Sequence, residues 1–382
     1  MSAPGRFFDT RSAYRMFVTA TDEKAVTADR LSEQAADVGP GEHALRIFDA
    51  GMGDGLIITQ LMRRLHQRFP HIPWLIVGKE TSVEDIRQAL VRLPDRFLEH
   101  PETVIVLTNL LYREAPALRV SGSGQQATWR TIALEGTSAA DFDDEIRSLL
   151  PSISEDWRVS ADPETGNPKY EQPTVLVIYR RDREFILRPV IPAPDRVEGL
   201  YDLVIASQPY RARTSAERKV KLVIEPLARA LAPGGKLVAV HSAGRDPGME
   251  IVKNVWPDED PFVSDRHAII DAARDAIDDP ELVFDPLPDD QAVFRYRMHT
   301  MPKGDHIGTP LILAAWNAAT YVAQIDGPRL DEAMASGVYV KATQDVLSRH
   351  ETLWFNDEMY VVRRVPSTPN TEIGPDSGTG SL

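Results

Sequence analysis

A glycine-rich turn between an apolar segment and an amphipathic one is the part of the sequence best suited to bind a ligand. The segment LRIFDA (45–50) is followed by the turn GMGDG (51–55). Glycines at such a turn let the chain reverse tightly and let a ligand approach the backbone. The next residues place Ile57, Leu61 and Leu65 on one stripe, as an amphipathic helix does. The pattern predicts a strand, a ligand-binding turn and a helix.

The turn does not match the common phosphate-binding patterns. The dinucleotide pattern G-x-G-x-x-G requires glycine where position 56 is leucine, and the Gly-Lys-Ser/Thr end of a phosphate loop is missing. Asp49 and Asp54 flank the turn, and their carboxylates would repel a pyrophosphate in a site of low dielectric constant. The two acids therefore favour a ligand that carries positive charge. The alternative is a purely structural turn with incidental glycines.

A third acidic residue, Glu80, ends the next apolar segment, WLIVGKE (74–80). An acid at this place commonly accepts hydrogen bonds from the hydroxyls of a ribose. The implied ligand has a ribose, and it has a cation where a dinucleotide has phosphates. S-Adenosylmethionine fits that description because it carries an ammonium and a sulfonium.

At these residues the chain resembles the class I S-adenosylmethionine-dependent methyltransferases. RIFDAGMGDG (46–55) is similar to the family's D-x-G-x-G-x-G pattern. YDLVIASQPY (201–210) is similar to its fourth-strand motif, and LARALAPGGKLVAVHS (227–242) to the helix, turn and strand that follow. The resemblance covers about half of the chain, in the segments 45–111, 201–242, 291–299 and 357–365.

Apolar segments alternate with helical ones in the core, which is typical of a parallel sheet covered on both faces. The resemblance implies a Rossmann-like α/β fold, with a seven-stranded, mostly parallel sheet whose last strand is reversed, plus an insertion and a helical cap. The expected segments are an N-terminal helical segment (1–41), the first half of the adenosylmethionine-binding core (42–112), an insertion with a hairpin at 174–190 (113–198), the second half of the core (199–243), an acidic helical cap with a strand at 291–299 (244–356), the last core strand (357–366) and a disordered tail (367–382).

The resemblance also implies which residues bind the cofactor. They are Asp49, Gly51, Met52, Gly53, Asp54 and Gly55 at the methionine end, Glu80 and Thr81 at the ribose, and Thr108 and Asn109 near the adenine. The chain departs from the family in two respects. The family more usually has an acid near the adenine, and it reaches its fourth strand soon after the third.

Candidate catalytic residues follow the fourth and fifth strands. Ser207-Gln208-Pro209-Tyr210 lie at the carboxyl edge, where ligands bind in open α/β sheets. They resemble the [DNS]-P-P-[YFW] motif of enzymes that methylate planar nitrogens, with Gln208 in place of the first proline. These residues either orient an acceptor or form a strand-ending turn. His241 is either a general base or a histidine that is simply hydrogen-bonded.

A predicted buried helix, TPLILAAWNAATYVAQI (309–325), carries candidate substrate-binding residues. It is apolar nearly all round, yet Asn317, Tyr321 and Gln324 form one polar stripe. Buried amides and hydroxyls need partners. Either the stripe bonds to neighbouring backbone, or Asn317 and Tyr321, with Trp316 beside them, face an acceptor pocket over the sheet edge.

Composition excludes several classes of function. The chain of 382 residues has 43 Lys and Arg against 57 Asp and Glu, a net charge of −14 that disfavours nucleic acid and anionic membranes as partners. The absence of cysteine excludes disulfides, thiolate nucleophiles and iron–sulfur clusters. No signal peptide or apolar span is visible, so we expect a cytoplasmic protein. The expected partner is a small-molecule acceptor, and the sequence leaves open whether the protein forms a homodimer.

Other charged residues have a structural and a functional interpretation. The acidic runs 141–145 and 257–260 suit solvated helix starts better than metal sites, so no metal is expected. His299 and His306 lie in the cap region and are weaker candidates for a functional role than His241. The basic run 211–221 suits a solvated helix face, with an anion-holding role toward the acceptor as the alternative.

The predicted reaction is transfer of a methyl group to a small-molecule acceptor by in-line displacement. Most of the catalysis can come from holding the acceptor in place, and a base is needed only if the acceptor must lose a proton. One alternative is an aminopropyltransferase resembling spermidine synthases, although those have aspartates where this chain has Ser207 and Gln208. Another is a non-catalytic adenosylmethionine-binding interaction protein.

Overall fold

Strand residues that are buried on both faces build the central sheet of the computed structural model, which describes residues 11–122, 124–161, 168–299, 308–350 and 352–366. Every residue of the third, seventh and eighth strands is buried, as expected when helices cover both faces. The strands are β1 (Leu45–Asp49), β2 (Trp74–Lys79), β3 (Thr103–Thr108), β4 (Thr128–Leu134), β5 (Val159–Ala161), β6 (Pro168–Tyr170), β7 (Thr174–Arg180), β8 (Tyr201–Ser207), β9 (Leu231–Ser242), β10 (Leu282–Asp285), β11 (Val293–Arg297) and β12 (Trp354–Arg364).

The sheet order confirms the predicted fold. Neighbouring strands follow the order β10, β12, β9, β8, β1, β2, β3, β7, β4, and β11 pairs with the amino-terminal part of β12. Strands β1, β2, β3, β8 and β9 are parallel, and β12 runs antiparallel to β9. The seven strands from β10 to β3 therefore form the expected Rossmann-like sheet with its reversed last strand. Its outer strand is β10, whereas the strand expected at 291–299 is β11, which pairs with another part of β12. Three further strands enlarge it to ten.

The hairpin predicted at 174–190 is wrong. Only Thr174–Arg180 is a strand, and it lies between β3 and β4. A 3₁₀ turn (Arg181–Arg183) and a short helix follow, and the Arg180 guanidinium donates to the Asp182 carboxylate at the start of this turn. The partner strand β4 is only partly buried and lacks a clear alternating pattern, so the sequence did not reveal it.

Helices cover both faces of the sheet and form the cap. They are α1 (Arg11–Ala20), α2 (Glu23–Gln34), α3 (Leu56–Arg68), α4 (Val83–Val91), α5 (Pro94–Glu99), α6 (Ala139–Asp156), α7 (Glu184–Leu187), α8 (Ala216–Lys219), α9 (Glu225–Arg229), α10 (Pro247–Val255), α11 (Arg266–Ala276), α12 (Asp289–Ala292), α13 (Thr309–Val322), α14 (Gly327–Ser336) and α15 (Val338–Leu347). A π-helical turn, Val220–Ile224, joins α8 to α9.

Three apolar clusters hold these layers together. One face of the sheet packs against α2 to α6, and the other against α7, α8, α9 and α11. The third cluster joins α1, α10, α13, α14 and α15 around Tyr296 and Phe355 at the carboxyl edge of the sheet. The N-terminal helix thus lies beside the cap, directly over the edge where the predicted site residues are found. The predicted disordered tail, 367–382, is outside the described residues.

Candidate functional site

The glycine loop, residues 50–55, and the turn 207–210 meet at the switch point of the sheet. From β1 the chain continues to β2 on one side, while β8 lies on the other side. The Ala50 N–H donates to the Ile205 carbonyl at 2.8 Å. A Cβ built on Gly51 would lie 3.7 Å from the Ser207 carbonyl oxygen. Open α/β sheets bind ligands in the crevice at this point.

Two loop glycines are required by geometry, for different reasons. Gly55 has φ +77°, and a Cβ there would lie 3.0 Å from Ala89 Cβ, so it allows α3 and α4 to approach closely. Gly53 has φ +55°, a left-handed conformation that favours glycine. Its N–H donates to Glu80 Oε2 at 2.9 Å. Gly55 therefore shapes the scaffold, while Gly53 exposes backbone at the crevice.

Glu80 is held against the glycine loop. Its carboxylate accepts the N–H groups of Gly53, Thr81 (2.7 Å) and Ser82 (2.8 Å). An ionised carboxylate has about four acceptor positions, so most of its capacity is used by backbone. Trp157, from the insertion, donates its indole N–H to the Glu80 carbonyl at 2.8 Å. The predicted ribose-binding residue thus also holds the loop in shape.

The two acids of the loop differ in their surroundings. Arg92 neutralises Asp54, with its Nη2 3.0 Å from Asp54 Oδ2. Asp49 is buried and accepts only the Gly51 N–H, at 3.3 Å, and no ion pair within the described part of the chain includes it. Burial raises the pKa of Asp49 to about 7, against the opposing effects of the Gly51 N–H and the Lys24 charge. Asp49 is therefore the loop acid available to a cationic group.

The N-terminal helices bring two residues to the loop that sequence reasoning missed. The Tyr14 hydroxyl lies 3.4 Å from a Cβ built on Gly53. Lys24 Nζ lies 3.4 Å from Glu23 Oε2 and 5.9 Å from the centre of the Tyr14 ring. Burial lowers the pKa of Lys24, but the charges of Glu23 and its neighbours outweigh this and hold it above its usual range. No motif marks these helices, so no sequence signal identifies them.

Thr108 and Asn109 use their polar groups to fasten the insertion to the sheet. The Thr108 hydroxyl donates to the Thr174 carbonyl at 2.8 Å. The Asn109 amide donates to the carbonyls of Asp156 (3.1 Å) and Gln172 (2.9 Å) and accepts the Thr174 N–H at 2.9 Å. Their position near an adenine stays a prediction.

The turn after β8 has a strained backbone and a tied side chain. Gln208 has φ +49°, which is uncommon for a residue other than glycine and is typical of functional sites. Its amide nitrogen lies 3.2 Å from Ser242 Oγ and 3.2 Å from Asp357 Oδ2, and its oxygen accepts the Ser242 N–H. Gln208 thereby joins the ends of β8, β9 and β12.

Several buried polar atoms at this edge have no hydrogen-bond partner among the described residues. They are Ser207 Oγ, Asn356 Oδ1 and Asp357 Oδ1. Asp357 is fully buried, and burial, followed by the Glu23 charge, raises its pKa well above the usual range. Buried polar groups are normally satisfied, so a cluster of unsatisfied ones points to a ligand. Asp357 was not a candidate in the sequence, since its segment reads only as a strand.

Tyr210 and His241 lie together beside the turn. Their rings are 5.5 Å apart, and the Tyr210 hydroxyl is 3.3 Å from that of Tyr360. His241 Nε2 is 3.3 Å from Glu358 Oε1. Burial, followed by the charge of Lys219, lowers the pKa of His241 to about 3. The imidazole is therefore neutral at physiological pH and a weak proton acceptor.

Two adjoining cavities open at this edge. The larger has a volume of about 1010 Å³ and extends from Ser242 between α10 and α11. The smaller lies against Tyr210, Lys219 and His241, and the two share Ser242, Phe262 and Ser264 in their walls.

The residues of the predicted polar stripe lie in two places: Asn317 and Tyr321 contact α1, whereas Gln324, just after α13, lines the smaller cavity. The Asn317 amide donates to the Ala13 carbonyl at 3.0 Å, and Tyr321 stacks on Phe17 with ring centres 4.7 Å apart. Trp316 is buried in the apolar cluster beneath the cap. None of the three lines either cavity. The Asn317 amide faces α1, whose Ala13 carbonyl is the acceptor that a buried amide needs. A role of Trp316, Asn317 and Tyr321 in acceptor binding stays a prediction.

The histidines and acidic runs of the cap and the insertion show no metal site among the described residues. His299 is exposed, and His306 is outside the described residues. Within the described ranges, no three His, Asp or Glu side chains are grouped so that they could hold a metal ion. The acidic run 141–145 begins α6, where Asp141 and Ser138 cap the helix reciprocally. None of the helices in the described ranges is long and apolar enough to cross a membrane.

No protein-family model and no curated protein matches the sequence. Solved structures do resemble it. A geranyl diphosphate methyltransferase in complex with GPP and sinefungin is 12% identical, with 89% of this chain and 78% of that chain covered at a TM-score of 0.34. A putative sarcosine dimethylglycine methyltransferase from Galdieria sulphuraria is 10% identical, with 89% and 86% covered, also at 0.34. An rRNA methyltransferase from Streptomyces viridochromogenes is 15% identical, with 56% and 72% covered, at 0.25. At these values the likeness extends to fold at most, and it says nothing about the acceptor.

Proposed function

We propose that the protein transfers a methyl group from S-adenosylmethionine to a small-molecule acceptor. The observation that carries the proposal is the meeting of the glycine loop and the turn 207–210 at the switch point of a sheet with class I methyltransferase topology. One side of the crevice has features that suit the cofactor. The neighbouring strand ends carry unsatisfied polar atoms. A cavity that suits an acceptor extends from Ser242, and its walls include no residue of the glycine loop or of the turn 207–210.

The residues around the loop fit S-adenosylmethionine. Asp49 would pair with its ammonium group, since that carboxylate is buried without an ion-pair partner among the described residues. Lys24 would pair with its carboxylate. Glu80 would accept a ribose hydroxyl with its remaining capacity or in exchange for the Gly53 N–H. When bound, the cofactor supplies an electrophilic methyl group on a sulfonium.

The chain's own part in the reaction is to position the acceptor. Ser207 Oγ and Asp357 Oδ1 are buried and available as hydrogen-bond partners for an acceptor. Gln208 holds both strand ends in place through its side-chain amide. The Tyr14 hydroxyl of α1 lies against the loop, 3.4 Å from a Cβ built on Gly53. Orientation of this kind supplies much of the rate enhancement when the leaving group is good.

A small molecule suits the acceptor site better than a nucleic acid. The larger cavity, about 1010 Å³, is similar in size to the largest small-molecule pockets. The net charge of −14 opposes binding to a phosphate backbone.

Cofactor binding is tested by isothermal titration with S-adenosylmethionine and S-adenosylhomocysteine. We expect both to bind, and we expect Gly53→Val to abolish binding because a branched side chain would strain the left-handed backbone and project into the crevice. Gly337→Val is the matched control, since Gly337 also has a positive φ, +74°, but lies in open space at the end of α14. Unchanged affinity in folded Gly53→Val protein would refute the location of the site.

Turnover is tested by following S-adenosylhomocysteine release during a screen of small-molecule acids, amines and alcohols. We expect release with at least one acceptor class. A protein that binds the cofactor tightly but releases no product with any acceptor would be the non-catalytic binding protein instead.

A further inference from the structure

The insertion ends the central sheet in an unpaired strand edge at β4. This strand pairs in parallel with β7 on one side, and no described strand lies on its other side. The Thr128 N–H donates to the Pro173 carbonyl, so the even-numbered residues of β4 use their backbone groups toward β7. The N–H and C=O groups of Trp129, Thr131 and Ala133 therefore point outward. None of these groups forms a hydrogen bond with another described residue.

The β4 edge lacks the features by which proteins usually protect an exposed strand. Edge strands are commonly kept short, charged or interrupted by proline, because an open edge pairs readily with another chain. The opposite edge of the sheet follows this rule, since β10 has four residues and lies between Pro280 and Pro286. In contrast, β4 has seven residues, TWRTIAL, without proline. Its one charged side chain, Arg130, is neutralised by Asp156, with Nε 3.0 Å from Oδ2.

We propose that β4 pairs antiparallel with β4 of a second copy of the chain, which joins the two sheets across a two-fold axis at Thr131. In this register Thr131 lies opposite Thr131 of the partner subunit, and Trp129 lies opposite Ala133 of the partner subunit, a large side chain against a small one. The three outward-facing pairs would exchange about six backbone hydrogen bonds. Arg130 lies opposite Ile132 of the partner subunit, so no like charges meet.

The neighbouring registers fit less well. Moving the axis by one residue to Arg130 places the two guanidinium side chains opposite each other, which is destabilising. Moving it to Ile132 leaves Thr128 and Trp129 beyond the end of the other strand. The register centred on Thr131 uses the whole strand and is self-complementary, as a two-fold interface between identical chains requires. This complementarity favours a second copy over an extended segment of an unrelated protein.

Sedimentation velocity of the full chain at micromolar concentration tests the pairing. We expect twice the 42.6 kDa of one chain. Thr131→Arg should lower the mass to that of one chain, because two guanidinium groups would meet at the axis, and Thr131 is exposed, so the folded chain can accept the substitution. Val283→Arg is the matched control and should stay dimeric, since Val283 is 49% exposed on β10 at the opposite edge. A monomeric wild-type protein, or a dimer that persists in folded Thr131→Arg, would overturn the inference.

Cross-linking tests the register, and it decides the question if Thr131→Arg does not fold. The chain has no cysteine, so a single introduced thiol can be linked only to its counterpart in another copy. Residues directly opposite in an antiparallel pair have Cβ atoms about 5 Å apart, within reach of a short bismaleimide. Thr131→Cys should give a covalent dimer on a denaturing gel, whereas Val283→Cys should stay a single chain. Equal cross-linking of the two variants, or none in Thr131→Cys, would refute pairing through β4.

Discussion

Replacing Asp49 by asparagine should make the protein more stable and its cofactor site weaker. The substitution keeps one oxygen that can accept the Gly51 N–H, removes the charge and puts an amide NH2 in place of the second oxygen. In the folded protein the pKa of Asp49 is raised to about 7 by burial, whereas its ordinary value is 3.8. At pH values between 3.8 and about 7, the carboxyl group of Asp49 is protonated in the folded protein but ionised in the unfolded chain. Stability therefore falls as pH rises from about 4 to about 7.

The size of the effect follows from the pKa. A tenfold difference in proton affinity is worth about 1.36 kcal/mol. Ionising Asp49 therefore costs the folded state roughly 4 kcal/mol above pH 7 and roughly 1.5 kcal/mol at pH 5. Asp49→Asn removes this cost, so its gain in the free energy of unfolding should be larger at pH 8 than at pH 5 by roughly 2.5 kcal/mol.

Urea denaturation at pH 5 and pH 8 measures the gain, and isothermal titration measures S-adenosylhomocysteine affinity. We expect Asp49→Asn to bind at least about tenfold more weakly at pH 8, through loss of a charged hydrogen bond to the ammonium. Wild-type affinity should decrease below pH 7 as Asp49 becomes protonated, and that of the variant should not. Asp202→Asn is the control, because burial also raises the pKa of Asp202 at the opposite edge of the sheet. A loss of stability in Asp49→Asn at pH 8, or an equal gain at both pH values, would refute the reasoning.

Two further predictions concern the site and the contact between α13 and α1. Glu80→Ala should weaken S-adenosylhomocysteine binding by roughly 1.5–3 kcal/mol in titration calorimetry and lower the melting temperature, because three backbone N–H groups lose their acceptor. Glu145→Ala, which removes a carboxylate from two backbone N–H groups in the insertion, should lower only the melting temperature. Asn317→Ala should reduce the free energy of unfolding by about 1 kcal/mol in urea denaturation, because the Ala13 carbonyl loses its donor. An unchanged denaturation midpoint would show that the contact between α13 and α1 contributes nothing.

The sequence by itself determined the core of the fold and the location of the glycine loop. Strands buried on both faces are near-continuous apolar segments, and the turn between Asp49 and Gly55 needs glycines for its backbone geometry. Both signals are local in the chain, so they can be recognised without knowing what lies nearby. The reversed last strand followed from the resemblance, and the sheet order confirms it.

Only the tertiary structure decided which side chains meet at the carboxyl edge. Lys24 comes from the N-terminal segment and Asp357 from the last strand, and no spacing in the sequence relates them to the glycine loop. The basic run 211–221 was expected to be solvated, yet Lys219 within it is buried beside His241, at the end of β9. The physical reason is that burial and charge pairing depend on elements distant in sequence. Periodicity shows which residues face the core, but only packing shows which polar residues are left inside without a partner.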